Sequence, residues 1–438
     1  MARTATAAIL VLGWLATLVL SWPGHLSYDS IVQLHDGWAG FYHSWHPPVM
    51  AWLLGVLGPG PFMALDASLM FGSLLLLTRR GGSWLAAGFA LAAVLLPQLL
   101  LYQAIVWKDV LFADAAVASF VCIAQAEARW HWGWGCAAVL LLALAALTRQ
   151  NGVIALVVGA CALGVIAPRR RLLTAAAALI AAFAIVAAAS AALARHSDGG
   201  EGTVVQLRLL RLYDLVGAVK AQASLPLDAL KQGAPALERL IRTDGVRLYT
   251  PQRNDTLVGS QALQNALADT PPELMAAQWM DLVTRHTWLY LGTRLRVFGQ
   301  VFLTPDIAAC RPVFIGVEGP AGEMRDLGLA PRQSPRDAAL GAYARGFMGT
   351  PAFSHPFFAV AGLAALVLLW RRGERALALM LVAAFGFTAS FFAISIACDY
   401  RYLYFLDMAV IAAWLYLFQV LAIWSGSFWL LRSDARKS

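Results

Sequence analysis

The feature that most limits the fold of this chain is a series of long apolar stretches separated by short polar connections. Many of them are roughly 17 to 22 residues long, which is the length an α-helix needs to cross a hydrocarbon core of about 30 Å. Apolar residues fill 60% of the 438 positions and charged residues only 13%, about half the charged fraction of a soluble globular protein. The sequence therefore predicts an all-α polytopic membrane protein.

The apolar stretches predict about ten transmembrane helices. The Gly-Pro-Gly-Pro sequence at 58–61 would break a continuous helix, so we expect residues 47–58 to form a short re-entrant or interfacial helix. We interpret the first stretch as an uncleaved span, because Ser-Trp-Pro at 21–23 is a poor cleavage site. The spans are expected near residues 6–22, 61–78, 84–101, 110–126, 134–148, 152–168, 172–194, 353–370, 376–396 and 406–426.

Clusters of positive charge give this arrangement a direction. If ten spans alternate, the clusters all fall on one side, which the positive-inside rule makes the cytoplasm. Both termini are then cytoplasmic, and the formal net charge of +8 reflects topology rather than nucleic-acid binding. The cations on that side are Arg3, Arg79, Arg80, Arg129, Arg169 to Arg171, Arg371, Arg372, Arg375, Arg432, Arg436 and Lys437.

The predicted topology divides the chain into three parts. Residues 1–194 form an N-terminal transmembrane module of about seven spans, which contains a first outer loop at 23–48. Residues 195–350 form a mostly helical extracytoplasmic segment, and residues 351–438 form a C-terminal transmembrane module of about three spans. Within the middle segment, helices are expected near 226–243, 261–268 and 272–286.

The first outer loop carries an unusual number of polar residues. Asp29 follows the first span, and a His-Pro-Pro sequence ends the loop at 46–48. Asp29 could act as a general base, and partial desolvation at the membrane edge would raise its pKa toward the working pH. The alternative is that Asp29 only caps a helix that begins near Ser30. We include His46 among the candidate substrate-binding residues.

A divalent metal ion is one candidate cofactor for this loop. His43 and His46 stand three residues apart, a spacing that suits metal binding on one face of a helix. Pro47 argues against a helix at that point, and solvated loop histidines are the alternative. The sequence does not require a metal.

Three isolated cations break the positive-inside pattern: Lys108, Arg149 and Arg401. Charged groups at the membrane edge are costly unless they are paired or hydrated. Lys108 could bind a lipid phosphate, Asp109 could orient it or contact an acceptor, and Arg149 could bind an anion. The alternatives are a snorkelling lysine, an aspartate that starts a helix, and a tight polar turn at 149–152.

The sequence Asp-Tyr-Arg-Tyr-Leu-Tyr at 399–404 opens the last span from the outer side. An arginine at the lipid interface can form two parallel hydrogen bonds to a phosphate while aromatic rings flank it. Interfacial aromatic belts explain the tyrosines, but they do not explain the arginine. Arg401 is therefore a candidate phosphate-binding residue, and Tyr404 is a candidate substrate-binding residue beside it.

Taken in order, these features resemble the C-type glycosyltransferase superfamily, which includes the protein mannosyltransferases and the aminoarabinose transferase of lipid A. The shared pattern is an acid in the first outer loop, His-Pro-Pro, a basic turn midway and an Arg-Tyr pair that opens a late span. The resemblance runs discontinuously over the transmembrane part and leaves out residues 195–350.

The resemblance implies a polyprenyl- or dolichyl-phosphate sugar donor. It makes Asp29 the catalytic base and Arg401 a ligand of the donor phosphate, with Lys108 and Arg149 as further candidates. The chain has Tyr-Asp-Ser at 28–30 where the family commonly has an Asp-Glu pair. Asp36 or Asp109 is therefore an alternative or assisting base.

We therefore expect a glycosyltransferase that moves a sugar to a lipid, glycan or protein acceptor of the cell envelope, at the outer face of the cytoplasmic (inner) membrane. The sequence shows no Gly-rich phosphate turn of a nucleotide-sugar enzyme. The alternatives are a transporter or lipid flippase, another membrane transferase such as a polymer ligase, or a non-enzymatic assembly protein. A transporter would carry charges at mid-membrane, for which Asp66 and Asp114 are candidates.

Five cysteines cannot all pair, and none has the spacing of a zinc site. Cys310 and Cys398 would both lie outside the cytoplasm on this topology, where a disulfide between them could form.

Overall fold

The structure is a computed structural model that describes the backbone of residues 1–434 and the side chains of residues 1–420. The described residues are mostly helical and form isolated β-bridges but no β-strand. The chain is therefore an all-α polytopic membrane protein, as the apolar stretches predict. Six helices are long and apolar enough to cross a membrane: Ala2–Ser21, Pro59–Arg80, Lys108–Ala128, Arg171–Ala194, Arg375–Ile394 and Tyr400–Val420.

Each of the ten predicted spans coincides with helical structure, but the number that cross the membrane is not confirmed. The helices Trp84–Val94 and Pro97–Ala104 meet at an angle of 67°. If the two together form one broken span, they make a seventh crossing. Trp132–Thr148 and Gln150–Ile166 are shorter apolar helices, and a 17-residue helix is only about 26 Å long. The eighth prediction corresponds to His355–Arg372, which ends in two arginines.

The last predicted span lies within a helix that covers Tyr404–Asp434. Of the basic tail used in the topology prediction, Arg436 and Lys437 lie outside the described residues, as does the side chain of Arg432.

The helix Lys108–Ala128 lies at the centre of the bundle, and neighbouring helices bury every residue from 109 to 126. Phe112 stacks on Phe387 with 4.3 Å between ring centroids and meets Phe405 edge-on at 5.4 Å. Because lipid tails are as apolar as leucine, such a helix is held by close packing rather than by escape from water. Its first residues therefore have a well-defined position at one end of the bundle.

The first polar loop contains two helices, Tyr28–Ala39 and Pro48–Leu57. They cross backbone to backbone, because a Cβ atom on Gly37 would lie only 2.7 Å from the nitrogen of Gly55. The second helix ends at Gly58, whose φ of +72° is a conformation that glycine adopts without strain. The predicted break before the second span is thus confirmed as a separate short helix.

The start of helix Tyr28–Ala39 is fixed by hydrogen bonds. Ser27 and Ser30 form a capping box, and the Ser30 hydroxyl also donates to the carbonyl of Val106 at 2.6 Å. Trp107 Nε1 donates to Ser27 Oγ at 2.8 Å. These contacts join the loop to the residues that immediately precede the central helix.

Residues 195–350, which we call the mid-chain segment, are mostly helical, as predicted. They contain a separate hydrophobic core formed by residues between Leu209 and Val297. The longest helix of this segment, Glu201–Ala221, was not among the predicted ones. The others are Asp228–Gly233, Pro235–Leu240, the π-helix Ile241–Gly245, Val246–Leu248, Asp255–Val258, Gln261–Ala268, Pro272–Arg285, Thr287–Leu303, Ala321–Asp326 and Pro335–Arg345.

The mid-chain segment is joined to the C-terminal module by covalent and polar contacts. Cys310 forms a disulfide with Cys398, which is the pairing that the predicted topology allowed. Arg294 is fully buried and pairs with Asp214 at 3.2 Å. Its guanidinium also donates to the carbonyls of Ser395, at 2.8 Å, and Ala393, at the end of helix Arg375–Ile394.

Candidate functional site

Four distant parts of the chain meet where Asp29 approaches Arg401. Asp29 comes from the first polar loop, Lys108 and Asp109 begin the central helix, Arg149 follows helix Trp132–Thr148, and Arg401 lies in the 3₁₀ turn Tyr400–Leu403. The predicted residues Asp29, Lys108, Asp109, Arg149 and Arg401 are thus brought together. We call them, together with Asp399, the charge cluster.

Arg401 is the centre of the charge cluster. Its Nη2 atom lies 2.5 Å from Asp29 Oδ2 and 3.2 Å from Asp399 Oδ2. Its Nε atom lies 3.7 Å from Asp109 Oδ2. The guanidinium also lies over the ring of Trp107, 4.6 Å from its centroid, in a cation–π arrangement. One cation therefore links three carboxylates from three parts of the chain.

Arg149 forms an ion pair with Asp109. The Asp109 side chain is only 2% exposed and that of Arg149 11%, so the pair is largely shielded from solvent. The guanidinium of Arg149 lies 5.4 Å from the ring of Phe391 and 5.3 Å from that of Tyr402. A polar turn or a helix start alone does not account for this pairing, which favours the site interpretation.

Lys108 has a different environment from the two arginines. Its ammonium lies 2.9 Å from His46 Nδ1, and because an ammonium only donates, Nδ1 is the acceptor. Burial and the charge of Lys108 lower the pKa of His46 to about 3, so this histidine is neutral. Within the described residues no carboxylate is paired with Lys108. Lys108 is therefore the cation of the cluster that is most available to an anionic ligand.

The environment of Asp29 corrects two expectations. Ser27, not Asp29, caps the helix, so the capping interpretation is wrong. Burial on its own would raise the pKa of the Asp29 carboxyl, but the charges of Arg401 and Lys108 outweigh it and hold that pKa well below its ordinary value. The expected upward shift was wrong because the sequence did not show that Arg401 lies in direct contact. Asp29 is ionised, and its side chain is 27% exposed.

Tyr404 does not face the charge cluster. Its side chain is buried, its hydroxyl donates to the carbonyl of Gln98 at 2.7 Å, and its ring stacks on Tyr102 at 4.7 Å. Tyr402 flanks the arginines instead. Residues two apart in a helical turn point in nearly opposite directions, so the two tyrosines cannot both line the site.

The histidines of the first polar loop have separate partners. His43 Nδ1 lies 2.9 Å from Asp36 Oδ1, whereas His46 contacts Lys108 and lies 3.9 Å from Asp29. The proposed metal pair His43 and His46 is therefore not directed at one point. The described residues contain no group of three or more His, Cys, Asp or Glu side chains placed to hold a metal ion.

Arg253 is a site residue that sequence reasoning missed. Its Nη1 atom lies 2.5 Å from Asp399 Oδ1 and 3.3 Å from the carbonyl of Ala309. No sequence signal indicates this contact, because 146 residues separate the two partners and Arg253 lies outside the apolar pattern. Asp399 itself could have been found, since it is a second unexplained charge two residues from Arg401.

No protein-family model matches this chain, and no curated protein matches it. The chain is similar to the solved structure of the archaeal oligosaccharyltransferase AglB from Archaeoglobus fulgidus in complex with an inhibitory peptide and a dolichol-phosphate. The TM-score is 0.41 and the sequence identity 14%, over 99% of this chain and 52% of that chain. This chain thus spans about half the length of that protein.

The buried pair of Asp109 and Arg149 leads to a stability prediction. Asp109→Asn or Arg149→Met leaves a buried charge without its partner, which costs about 3 kcal/mol of unfolding free energy. We expect both variants to have lower thermal unfolding midpoints in detergent. The double variant should lose less unfolding free energy than the two single variants lose together. The matched control is Arg285→Met, which breaks a pair whose arginine side chain is 81% exposed and should change little. Strictly additive losses would contradict a direct pair.

Proposed function

We propose that this protein is a glycosyltransferase of the C-type superfamily that moves a sugar from a polyprenyl-phosphate donor to a cell-envelope acceptor. The observation that carries the proposal is the 2.5 Å contact between Asp29 and Arg401. It brings the candidate base against the candidate phosphate ligand, although the two residues come from opposite ends of the chain. The neighbouring Lys108 supplies a second cation.

The position of the cations suits a phosphate that carries a lipid tail. Lys108 and Arg401 are the first and second residues of two helices long enough to cross a membrane, Lys108–Ala128 and Tyr400–Val420. A phosphate bound between them would lie at the membrane edge, and its polyprenyl chain would extend beside the apolar helices. A water-soluble donor would gain nothing from this placement.

The proposed reaction is a direct displacement at the sugar. Asp29 accepts the proton of an acceptor hydroxyl as that oxygen attacks the anomeric carbon. The bond between this carbon and the phosphate oxygen breaks, and the polyprenyl phosphate leaves with the electron pair. Arg401 and Lys108 stabilise the negative charge that the leaving group gains. Such a displacement inverts the configuration of the anomeric carbon.

The Asp29–Arg401 pair also provides a way to link donor binding to base strength. In the structure the charge of Arg401 keeps the pKa of Asp29 low, which makes Asp29 a weak base. A donor phosphate on Arg401 would offset part of that charge. The pKa of Asp29 would then rise, and Asp29 would become a stronger base only when the donor is present.

We propose that the charge cluster faces the outside of the cytoplasmic (inner) membrane, with ten crossings and both termini in the cytoplasm. The arginine clusters of the sequence support this direction. The Cys310–Cys398 disulfide supports it independently, because disulfides persist in oxidising compartments. Cys398 lies three residues before Arg401, so the cysteine and the charge cluster share one side.

A transporter or flippase is the second candidate function. Asp66 and Asp114 are fully or almost fully buried within helices long enough to cross a membrane, which is a feature of proton- or ion-coupled transport. Gln103 satisfies one oxygen of Asp114, at 3.0 Å, and also donates to the hydroxyl of Tyr404. Transport would appear as substrate accumulation in proteoliposomes without a new covalent product.

The catalytic roles predict large losses of transfer in proteoliposomes supplied with radiolabelled polyprenyl-phosphate sugars. Asp29→Asn should reduce transfer at least about 10²-fold because it removes the general base. Arg401→Ala should reduce it by a similar factor because it removes a donor to the developing charge. Asp36→Asn, which removes the other acid of the loop, should retain activity. Loss in Asp36→Asn with full activity in Asp29→Asn would contradict the assignment.

The low pKa of Asp29 predicts the pH dependence of kcat/KM, which reports the free enzyme. Asp29 stays deprotonated until the pH falls through its depressed pKa, so activity should be lost only below about pH 4. Neutral His46, whose pKa is about 3, should add no transition near pH 6.5. An acidic limb between pH 5 and 7 would show that Asp29 is not held ionised by Arg401.

The proposed topology predicts which engineered cysteines react from outside. A membrane-impermeant maleimide added to intact cells should label Glu201→Cys, in the mid-chain segment. It should not label Arg129→Cys, in a predicted cytoplasmic turn, until the cells are permeabilised. Both positions are exposed, and the parent chain with its native cysteines gives the background. Labelling of only Arg129→Cys in intact cells would reverse the orientation.

A further inference from the structure

The turn that carries Arg401 rests on a buried polar trio formed by His355, Tyr400 and Asp407. All three side chains are fully buried. His355 Nδ1 lies 3.1 Å from Asp407 Oδ1, and His355 Nε2 lies 3.2 Å from the carbonyl oxygen of Tyr400. The Tyr400 hydroxyl donates to Asp407 Oδ2 at 2.8 Å. Because a carbonyl only accepts, Nε2 must carry the hydrogen.

Such a trio is costly to place among apolar helices unless its polar groups are satisfied. Here they satisfy one another, and the Tyr400 ring stacks on His355 with 3.9 Å between centroids. His355 comes from helix His355–Arg372 and Asp407 from helix Tyr404–Asp434. The contacts therefore join two helices at the turn that precedes the second one.

The bond from His355 acts on the peptide group next to Arg401. The carbonyl of Tyr400 belongs to the planar peptide that ends at the Cα atom of Arg401. On the other side, the backbone N–H of Tyr400 donates to the carbonyl of Cys310 at 2.9 Å. Both polar backbone atoms of Tyr400 are thus held, one by His355 and one by the mid-chain segment.

We infer that His355 is a positioning residue for Arg401, which acts by fixing the Tyr400–Arg401 peptide with the help of Asp407. The described contacts of His355 are with Tyr400 and Asp407, not with the charge cluster. Its effect on a ligand must therefore pass through Arg401. The effect on ligand binding rests on the proposed function, whereas the effect on the turn does not.

The test uses the full-length protein in lipid nanodiscs and three variants. His355→Leu removes both hydrogen bonds, whereas His355→Gln keeps a side-chain donor that can reach the Tyr400 carbonyl. The matched control is Trp414→Phe, because Trp414 Nε1 donates to the carbonyl of Ala361 at 3.1 Å. That bond links the same two helices away from the turn.

Two measurements are made on each variant. Hydrogen–deuterium exchange of the peptide that covers residues 399–405 reports the turn directly. Binding of undecaprenyl phosphate reports the cluster. We expect His355→Leu to speed exchange and to weaken binding about tenfold, because Arg401 is then held less firmly in its binding position. His355→Gln should recover part of both effects, and Trp414→Phe should show neither.

The path through Arg401 is tested in an Arg401→Ala background. There His355→Leu should not weaken the remaining binding further, because the residue through which it acts is gone. If His355→Leu weakens binding by the same factor with and without Arg401, the inference is overturned. It is also overturned if residues 399–405 exchange no faster in His355→Leu than in Trp414→Phe. If the unmodified protein does not bind undecaprenyl phosphate, the proposed function fails while exchange still decides whether His355 holds the turn.

Discussion

The ion pair between Asp29 and Arg401 joins residues that lie 372 positions apart. It closes the first polar loop onto the turn that opens the last long helix. A guanidinium is charged at every working pH, and here it lies among three carboxylates that would otherwise repel one another. Arg401 thus allows Asp29, Asp109 and Asp399 to occupy one small region. Arg149 and Arg253 share this role through their own ion pairs with Asp109 and Asp399.

The rest of the molecule holds the residues of the charge cluster in place. The central helix Lys108–Ala128 fixes Asp109, and the Ser27–Ser30 capping box fixes the helix that carries Asp29. The mid-chain segment holds the residues just before Arg401. Arg294 donates a hydrogen bond to the carbonyl of Ser395, and Cys310 forms the disulfide with Cys398. These contacts, with the hydrogen bond from the Tyr400 N–H to the carbonyl of Cys310, connect the mid-chain segment to the turn of Arg401.

Sequence reasoning found much of the fold and the principal charges of the site for a physical reason. Membrane spans need long apolar stretches, which are visible in the sequence. An isolated cation between two such stretches, on the side that lacks arginine clusters, is therefore easy to recognise. Lys108, Arg149 and Arg401 were identified in this way, and the structure places them in one cluster. The break at the Gly-Pro-Gly-Pro sequence at 58–61 could also be predicted, because glycine and proline interrupt a helix whatever the rest of the chain does.

What the sequence could not show depends on contacts between distant residues. Arg253 and His355 carry no local signal, and their roles follow only from their approach to residues 399–401. Tyr404 rather than Tyr402 was placed at the site because the turn that precedes the last helix changes which side chain points inward. The pKa of Asp29 was expected to rise because the sequence places this residue at the membrane edge, where it is partly desolvated. The contact with Arg401 could not be inferred from the sequence. The number of crossings stays a prediction, because in the described part of the chain only six of the ten predicted spans coincide with a helix that is long and apolar enough to cross a membrane.

In the proposed mechanism a donor phosphate binds Arg401 and offsets the charge that holds Asp29 in the ion pair. The most direct test is an experimental structure of the protein with undecaprenyl phosphate bound. We predict that the phosphate lies between Lys108 and Arg401, and that Asp29 has separated from the guanidinium by the width of a phosphate oxygen or more. A phosphate bound elsewhere, with the Asp29–Arg401 pair unchanged, would contradict the account.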